Sequence, residues 1–201
     1  MSTPPLVKSW RAANEPVAAH ALAEHLLSEA RYAHTRGVAQ QAARLATLTR
    51  QPSASRRLLL CAAWLHDLGY GLGDGFHPIV GARALRAAGH ERLARIVAHH
   101  SGADMEAALR DLPPIGREFP FPGTDDGFVL TLLDASDVTT GSRGERVDPW
   151  TRLRDLVARR GADSPAVRVF VSTVDRLSQD PTIRDFVETI SGPRQTTEAA
   201  A

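Results

Sequence analysis

The stretch Leu58-Leu59-Leu60-Cys61-Ala62-Ala63-Trp64-Leu65-His66-Asp67-Leu68-Gly69 decides the fold. From Leu58 to Leu65 it is an unbroken apolar run with no alternation and no turn residue, so it reads as a helix buried nearly all round. Ser53 or Ser55 can cap its start, and Gly69 is a stop signal. An imidazole and a carboxylate at the mouth of such a helix are costly unless paired or bound to something. His66 and Asp67 lie about 100° apart around a helix, so one ion at the helix end can touch both. Alternatively, Asp67 can bridge two ions, one on each oxygen.

Outward from that helix the pattern stays helical, and strand alternation is scarce, so the fold class is all-α. His34, Val38, Gln41, Ala42, Leu45 and Leu48 share one face of a helix expected over about 34–49, which makes His34 the head of an inward stripe. An earlier helix is expected to start near Pro16. After a glycine-rich loop, His77-Pro78 opens another helix, followed by one over about 91–100 and a short piece over 104–112. Residues 113–126 form a proline- and glycine-rich loop, of a length that often marks a lid, with Phe119 or Phe121 available to stack on a base. A helix over about 127–137 follows. Asp148-Pro149, Ser164-Pro165 and Asp180-Pro181 repeat one signal, a capping residue before proline, and each should start a helix. The expected organisation is an N-terminal segment (1–15), a single domain (16–190) with C-terminal helices over 149–190, and a disordered tail (191–201).

Composition narrows the function classes. The 201 residues are 43% hydrophobic and 23% charged, as in an ordinary globular domain. A net charge of +1 argues against a nucleic-acid partner or a polybasic membrane patch. No run approaches the roughly 20 apolar residues of a membrane span, and the start of the chain lacks the apolar stretch of a signal peptide, so a cytoplasmic protein is expected. Cys61 is the single cysteine, which excludes an intramolecular disulfide, and its apolar surroundings suit a core residue.

The polar residues that break these helices form an ordered set: His34, His66-Asp67, His77, His99-His100 and Asp137. Singly, each has an ordinary explanation: a bonded core histidine, an ion pair, a turn residue, a solvated helix end, a cap. Their order and spacing together point to a metal. Imidazole and carboxylate donors suit Fe, Mn, Co, Ni or Zn better than Mg or Ca. There are too many candidates for one tetrahedral ion. His34, His66, Asp67 and Asp137 make a first site, and His77 and His99 supply a second. Asp134 and Asp137 lie three residues apart on one helical face, so either reaches the metal. The remaining histidines, His20, His25 and His90, read as surface or partly buried residues.

This set resembles the HD-domain superfamily of metal-dependent phosphohydrolases, a helical bundle whose central buried helix carries the His-Asp doublet. The likeness rests on His34-Thr35-Arg36-Gly37-Val38-Ala39, on Ala63-Trp64-Leu65-His66-Asp67-Leu68-Gly69, and on Leu132-Leu133-Asp134-Ala135-Ser136-Asp137-Val138, and it covers about 30–140. The family's last segment aligns with Asp137. Phe76-His77-Pro78-Ile79-Val80-Gly81-Ala82 and Val97-Ala98-His99-His100-Ser101-Gly102 resemble the extra histidine segments of two-metal members, among them bacterial HD-type diadenosine-tetraphosphate hydrolases.

The resemblance implies that His77 and His99 serve a second ion and that His100 assists as an auxiliary ligand or bonds the substrate. It implies a hydrolase of a phosphoester or nucleotide anhydride, using a metal-activated water, with Asp67 and His100 in catalytic roles. The partner is then a small phosphorylated substrate such as a nucleotide, and a homo-oligomer is compatible with everything above. Arg143 and Arg146, in the polar loop after Asp137, are candidate phosphate clamps. The helix opening at Pro78 is another candidate anion site. Two other classes fit the same ligands: a mixed-valent di-iron oxygenase of the HD fold, and a non-catalytic metal-containing module that senses a ligand.

Overall fold

A computed structural model describes residues 5–191. The expected tail, apart from Ser191, and the first four residues lie outside the described residues. Eleven α-helices occur among them: α1 (Pro5–Arg11), α2 (Pro16–Leu26), α3 (Glu29–Leu48), α4 (Ser53–Leu65), α5 (His77–Ala87), α6 (Glu91–His99), α7 (Ala103–Leu109), α8 (Thr124–Val138), α9 (Pro149–Arg160), α10 (Pro165–Ser178) and α11 (Pro181–Ser191). The described residues form no sheet, only an isolated bridge between Thr140 and Arg146. The all-α expectation is met.

The central helix is α4, which packs against α2, α3, α6 and α8. It is not buried along its whole length. Its first turn is exposed at Ser53 and Ala54, and burial begins at Leu59 and becomes continuous from Leu65 through His66 and Asp67 to Gly69. The polar doublet therefore sits at the deep end of the helix, where an unpaired charge is most costly. Cys61 is fully buried, and burial pushes its thiol up to about 12, as suits an inert core residue.

Capping chemistry explains most boundaries. Asp148 accepts from the backbone N–H groups of Trp150 and Thr151, Ser164 from that of Val167, and Asp180 from those of Thr182 and Ile183. All three cap-proline signals start helices as expected. Helix α3 begins five residues before His34 because Ser28 caps it by accepting from the Arg31 N–H. Helix α8 starts at Thr124, before the expected Gly127, with Asp125 and Asp126 in its first turn, where carboxylates suit the dipole. The sequence reading missed α1. It is tied down where the His90 ring donates to the Trp10 carbonyl, at 2.8 Å.

Two glycines set the geometry around the doublet. A Cβ on Gly69 would lie 2.0 Å from the His77 carbonyl oxygen, so only glycine lets the turn after Asp67 press against the start of α5. Gly144 has φ +82°, and a Cβ there would lie 2.1 Å from the Ala33 carbonyl oxygen. Its absence lets the loop after α8 lie directly on α3 beside His34.

Candidate metal centre

Five elements bring the candidate ligands together: the first half of α3, the end of α4, the start of α5, the end of α6 and the end of α8. Two groups of donor atoms each fall within 4.8 Å of one another: His34, His66 and Asp67 in one, and Asp67, His77 and His100 in the other. Asp67 belongs to both. Its Oδ2 lies 4.0 Å from His34 Nε2 and 3.4 Å from His66 Nε2, and its Oδ1 lies 3.4 Å from His77 Nε2. Two His/Asp clusters sharing one carboxylate suggest a binuclear site.

The hydrogen bonds behind the rings decide which nitrogens face inward. Nδ1 of His34 donates to the Gly141 carbonyl (3.0 Å), Nδ1 of His66 to the Ala63 carbonyl (2.9 Å), and Nδ1 of His100 to the Val97 carbonyl (2.6 Å). A carbonyl oxygen only accepts, so each Nδ1 carries a proton and Nε2 is the nitrogen that faces the centre. The fourth ring, His77, is held by stacking on Tyr70, with centroids 4.0 Å apart.

This arrangement fits cations. Burial, with the neighbouring His100 and His66 rings, pulls His77 down to about 3 against the pull of Asp67; burial and His66 pull His100 down to about 4. Both rings are thus neutral at ordinary pH, the form in which an imidazole can hold an ion. Their Nε2 atoms nevertheless approach to 3.3 Å, and for His100 that atom can only be a lone pair. His66 Nε2 is fully buried and has no hydrogen-bond partner, because its 3.4 Å approach to Asp67 is an ion-pair contact without hydrogen-bond alignment. Burial lowers the His66 pKa, but Asp67, aided by Asp137, overrides it and raises it to about 9. Asp67 itself is held well below the usual carboxylate range by His66, Arg31 and His77, against the opposing effect of burial. Protonated His66 therefore shares the Asp67 carboxylate with Arg31, whose guanidinium lies nearer, at 2.8 Å.

Asp137 lies beside the first cluster. Its Oδ1 is 3.0 Å from His34 Nε2, and its Oδ2 accepts from Ser101 Oγ at 2.5 Å. Asp134 points elsewhere, accepting from the Ser101 N–H (2.6 Å) and from Arg176 (2.5 Å), which leaves Asp137 as the aspartate of α8 that faces the ligands. Ser101 makes both contacts from a left-handed backbone conformation, φ +53° and ψ 34°, a strained choice for a residue with a Cβ.

Several expected residues fall elsewhere. His99 is turned away: Nδ1 bonds Asp104 (2.5 Å) and Nε2 meets the Phe119 carbonyl (2.7 Å), so His100, not His99, joins the second cluster. The chain ends α6 between the two residues, which sends their side chains in different directions. Phe119 is a core residue under Arg86, and Phe121 is exposed beside His99. Arg143 opens onto a neighbouring hollow, and Arg146 leans over Phe186 towards Thr189. Neither arginine lines the cavity of about 330 Å³ that opens over the ligands.

The sequence reading also missed residues that do face this cavity. Arg31 donates to Asp67 Oδ2 at 2.8 Å and lies over the Tyr70 ring. It stands one turn before His34, a spacing that places both on one face of α3 and could have flagged it. A larger hollow of about 470 Å³ beside α5 carries no His/Asp cluster among the described residues.

The family model described as the HD domain matches residues 31–178, well beyond the 30–140 marked by the motifs. Comparison with curated proteins and with solved structures gave no match. The clustered ligands, the all-helical bundle and the matched length agree, and they are the equipment of a metal-activated hydrolase of phosphoester or phosphoanhydride bonds. The chain belongs to the HD-domain family.

Proposed function

We propose that this chain hydrolyses a small phosphorylated substrate at a two-metal centre held by His34, His66, Asp67 and Asp137 on one side and Asp67, His77 and His100 on the other. The reading rests above all on Asp67, whose two oxygens face separate sets of imidazole Nε2 atoms. A donor set this rich in imidazole favours Fe, Mn, Co, Ni or Zn over Mg. Ions of this kind lower the pKa of water and offset charge on a phosphoryl oxygen.

The chain's own residues do the rest. The backbone carbonyls of Gly141, Ala63 and Val97 fix the tautomer of three ligand rings. Ser101 holds Asp137 by its outer oxygen, so Oδ1 alone is presented to the His34 side. Arg31 is placed to leave Asp67 for a phosphoryl group, two of whose oxygens a guanidinium can bond in a fork. Tyr70 flanks His77 at the cavity mouth. A cytoplasmic setting agrees with the absence, among the described residues, of any helix long and apolar enough to cross a membrane.

The test is metal analysis of chain purified without chelators, followed by hydrolysis of p-nitrophenyl phosphate, its bis ester and nucleotides with Mn, Co, Fe, Ni or Zn. Hydrolysis that survives without oxygen and disappears in the His66→Ala/Asp67→Ala double variant supports the reading. A di-iron spectroscopic signature with no phosphoester ever hydrolysed overturns it in favour of the oxygenase class.

A further inference from the structure

One part of the cavity wall comes from α9 and the end of α7, and it is lined with guanidinium groups: Arg110, which caps the end of α7, and Arg152, Arg159 and Arg160 from α9. On a helix, Arg152, Leu156, Arg159 and Arg160 fall within about 100° of arc, so a single face of α9 looks into the cavity. A run of surface arginines is usually just a solvated face. Two observations set this one apart.

The first is burial. The Arg152 side chain is only 12% exposed, and its ion-pair partner is Asp155, a carboxylate 40% exposed at 3.2 Å and shared with Arg159. Burying a guanidinium against so weak a partner is unfavourable unless an anion completes its bonding. The second is imbalance. These four guanidinium groups have two carboxylates, Asp155 and Glu106, and Arg160 has no carboxylate within ion-pair distance among the described residues. The positive excess faces inward, although the chain as a whole carries only +1.

We infer that this wall is a second anion subsite, and that the substrate carries two phosphoryl groups, one at the His/Asp clusters and one on Arg152, Arg159 and Arg160. This rests on the phosphohydrolase reading above and narrows it. A phosphomonoester with an uncharged remainder leaves the arginine wall without a partner. A second phosphoryl group, joined through an anhydride or through a separate ester, satisfies it with charge-assisted, forked hydrogen bonds.

Calorimetric titration of the metal-loaded chain with adenosine 5′-monophosphate, adenosine 5′-diphosphate and adenosine 3′,5′-bisphosphate tests it. The native chain should bind at least one doubly phosphorylated probe about tenfold or more tightly than the monophosphate. Which of the two gains tells anhydride from separate ester. The Arg152→Gln/Arg159→Gln variant should lose most of that gain while keeping native metal content by emission spectrometry, and raising salt should shrink it. Equal affinity for all three probes in the native chain overturns the second subsite and leaves the phosphohydrolase reading standing. Failure to bind any of them, with no hydrolysis of p-nitrophenyl phosphate, overturns both. A gain that the double variant retains also overturns the assignment to these arginines, and the native comparison holds even if that variant folds poorly.

Discussion

Replacing Gly144 by alanine tests how the loop after α8 positions a metal ligand. Two separate effects oppose the new methyl group. At φ +82° an L-residue is strained by about 1–2 kcal/mol. In addition, the Cβ would lie 2.1 Å from the Ala33 carbonyl oxygen, and no side-chain rotation relieves a clash with backbone. The loop must lift from α3, taking with it the Gly141 carbonyl that now accepts from His34 Nδ1 at 3.0 Å. Losing that bond adds about 1 kcal/mol, for a total of about 2–4 kcal/mol including residual strain. Gly89 supplies the control, because it has φ +90° at the end of α5 but nothing within 4 Å of its missing Cβ. Gly89→Ala should therefore cost only the conformational part. Thermal melts of both variants, with calorimetric metal binding, measure the difference. Gly144→Ala should melt several degrees below Gly89→Ala and bind metal about 10–100-fold more weakly, since His34 loses its orienting acceptor. If the two variants melt together and Gly144→Ala binds metal normally, the loop does not hold His34 and the argument fails.

His100→Ala should lose one of two bound ions, whereas His99→Ala should keep both and instead lose about 1–3 kcal/mol of stability, because Asp104 and the Phe119 carbonyl are left unpaired; elemental analysis and melts separate the two outcomes. Tyr70→Ala removes the stacking on His77 and should weaken the second ion by about 3–10-fold in a metal titration, without changing the first. The His66 pKa is raised to about 9, so in metal-stripped chain its protonation stabilises the fold fully below pH 6.5, and that contribution, about 3 kcal/mol, is lost as pH rises through 9. Melts of chelated chain at pH 6 and pH 10 should show that loss in the native protein and not in His66→Gln; an equal loss in both would remove His66 as the cause.

Much of this was legible in the sequence, and the reasons are specific. The cap-proline pairs at Asp148, Ser164 and Asp180 carry a local mechanism, so each marked a helix without help from the rest of the chain. The doublet at His66-Asp67 stood out because polarity at the end of an apolar run contradicts burial unless something answers it. What the sequence hid depends on distance and direction. His99 and His100 are adjacent and chemically identical, and only the break in α6 between them settles which ring turns inward. Arg143 and Arg146 were near the ligands along the chain, but three of the arginines that reach the cavity come from α9, whose docking no local pattern reveals. Ser101 carried no signal, since its role needs a left-handed backbone that favours other residues.

The candidate ligands run from His34 to Asp137, and the ring of His34 takes its orientation from a carbonyl 107 residues further along. A ribosome making this chain has released both halves of the doublet long before it supplies Asp137 or Gly141. During synthesis the growing chain thus exposes an incomplete chelate of imidazoles, with the closing contacts the slowest to form. The full donor set therefore exists only once the chain has closed over more than a hundred residues, and any shorter stretch presents fewer and looser donors.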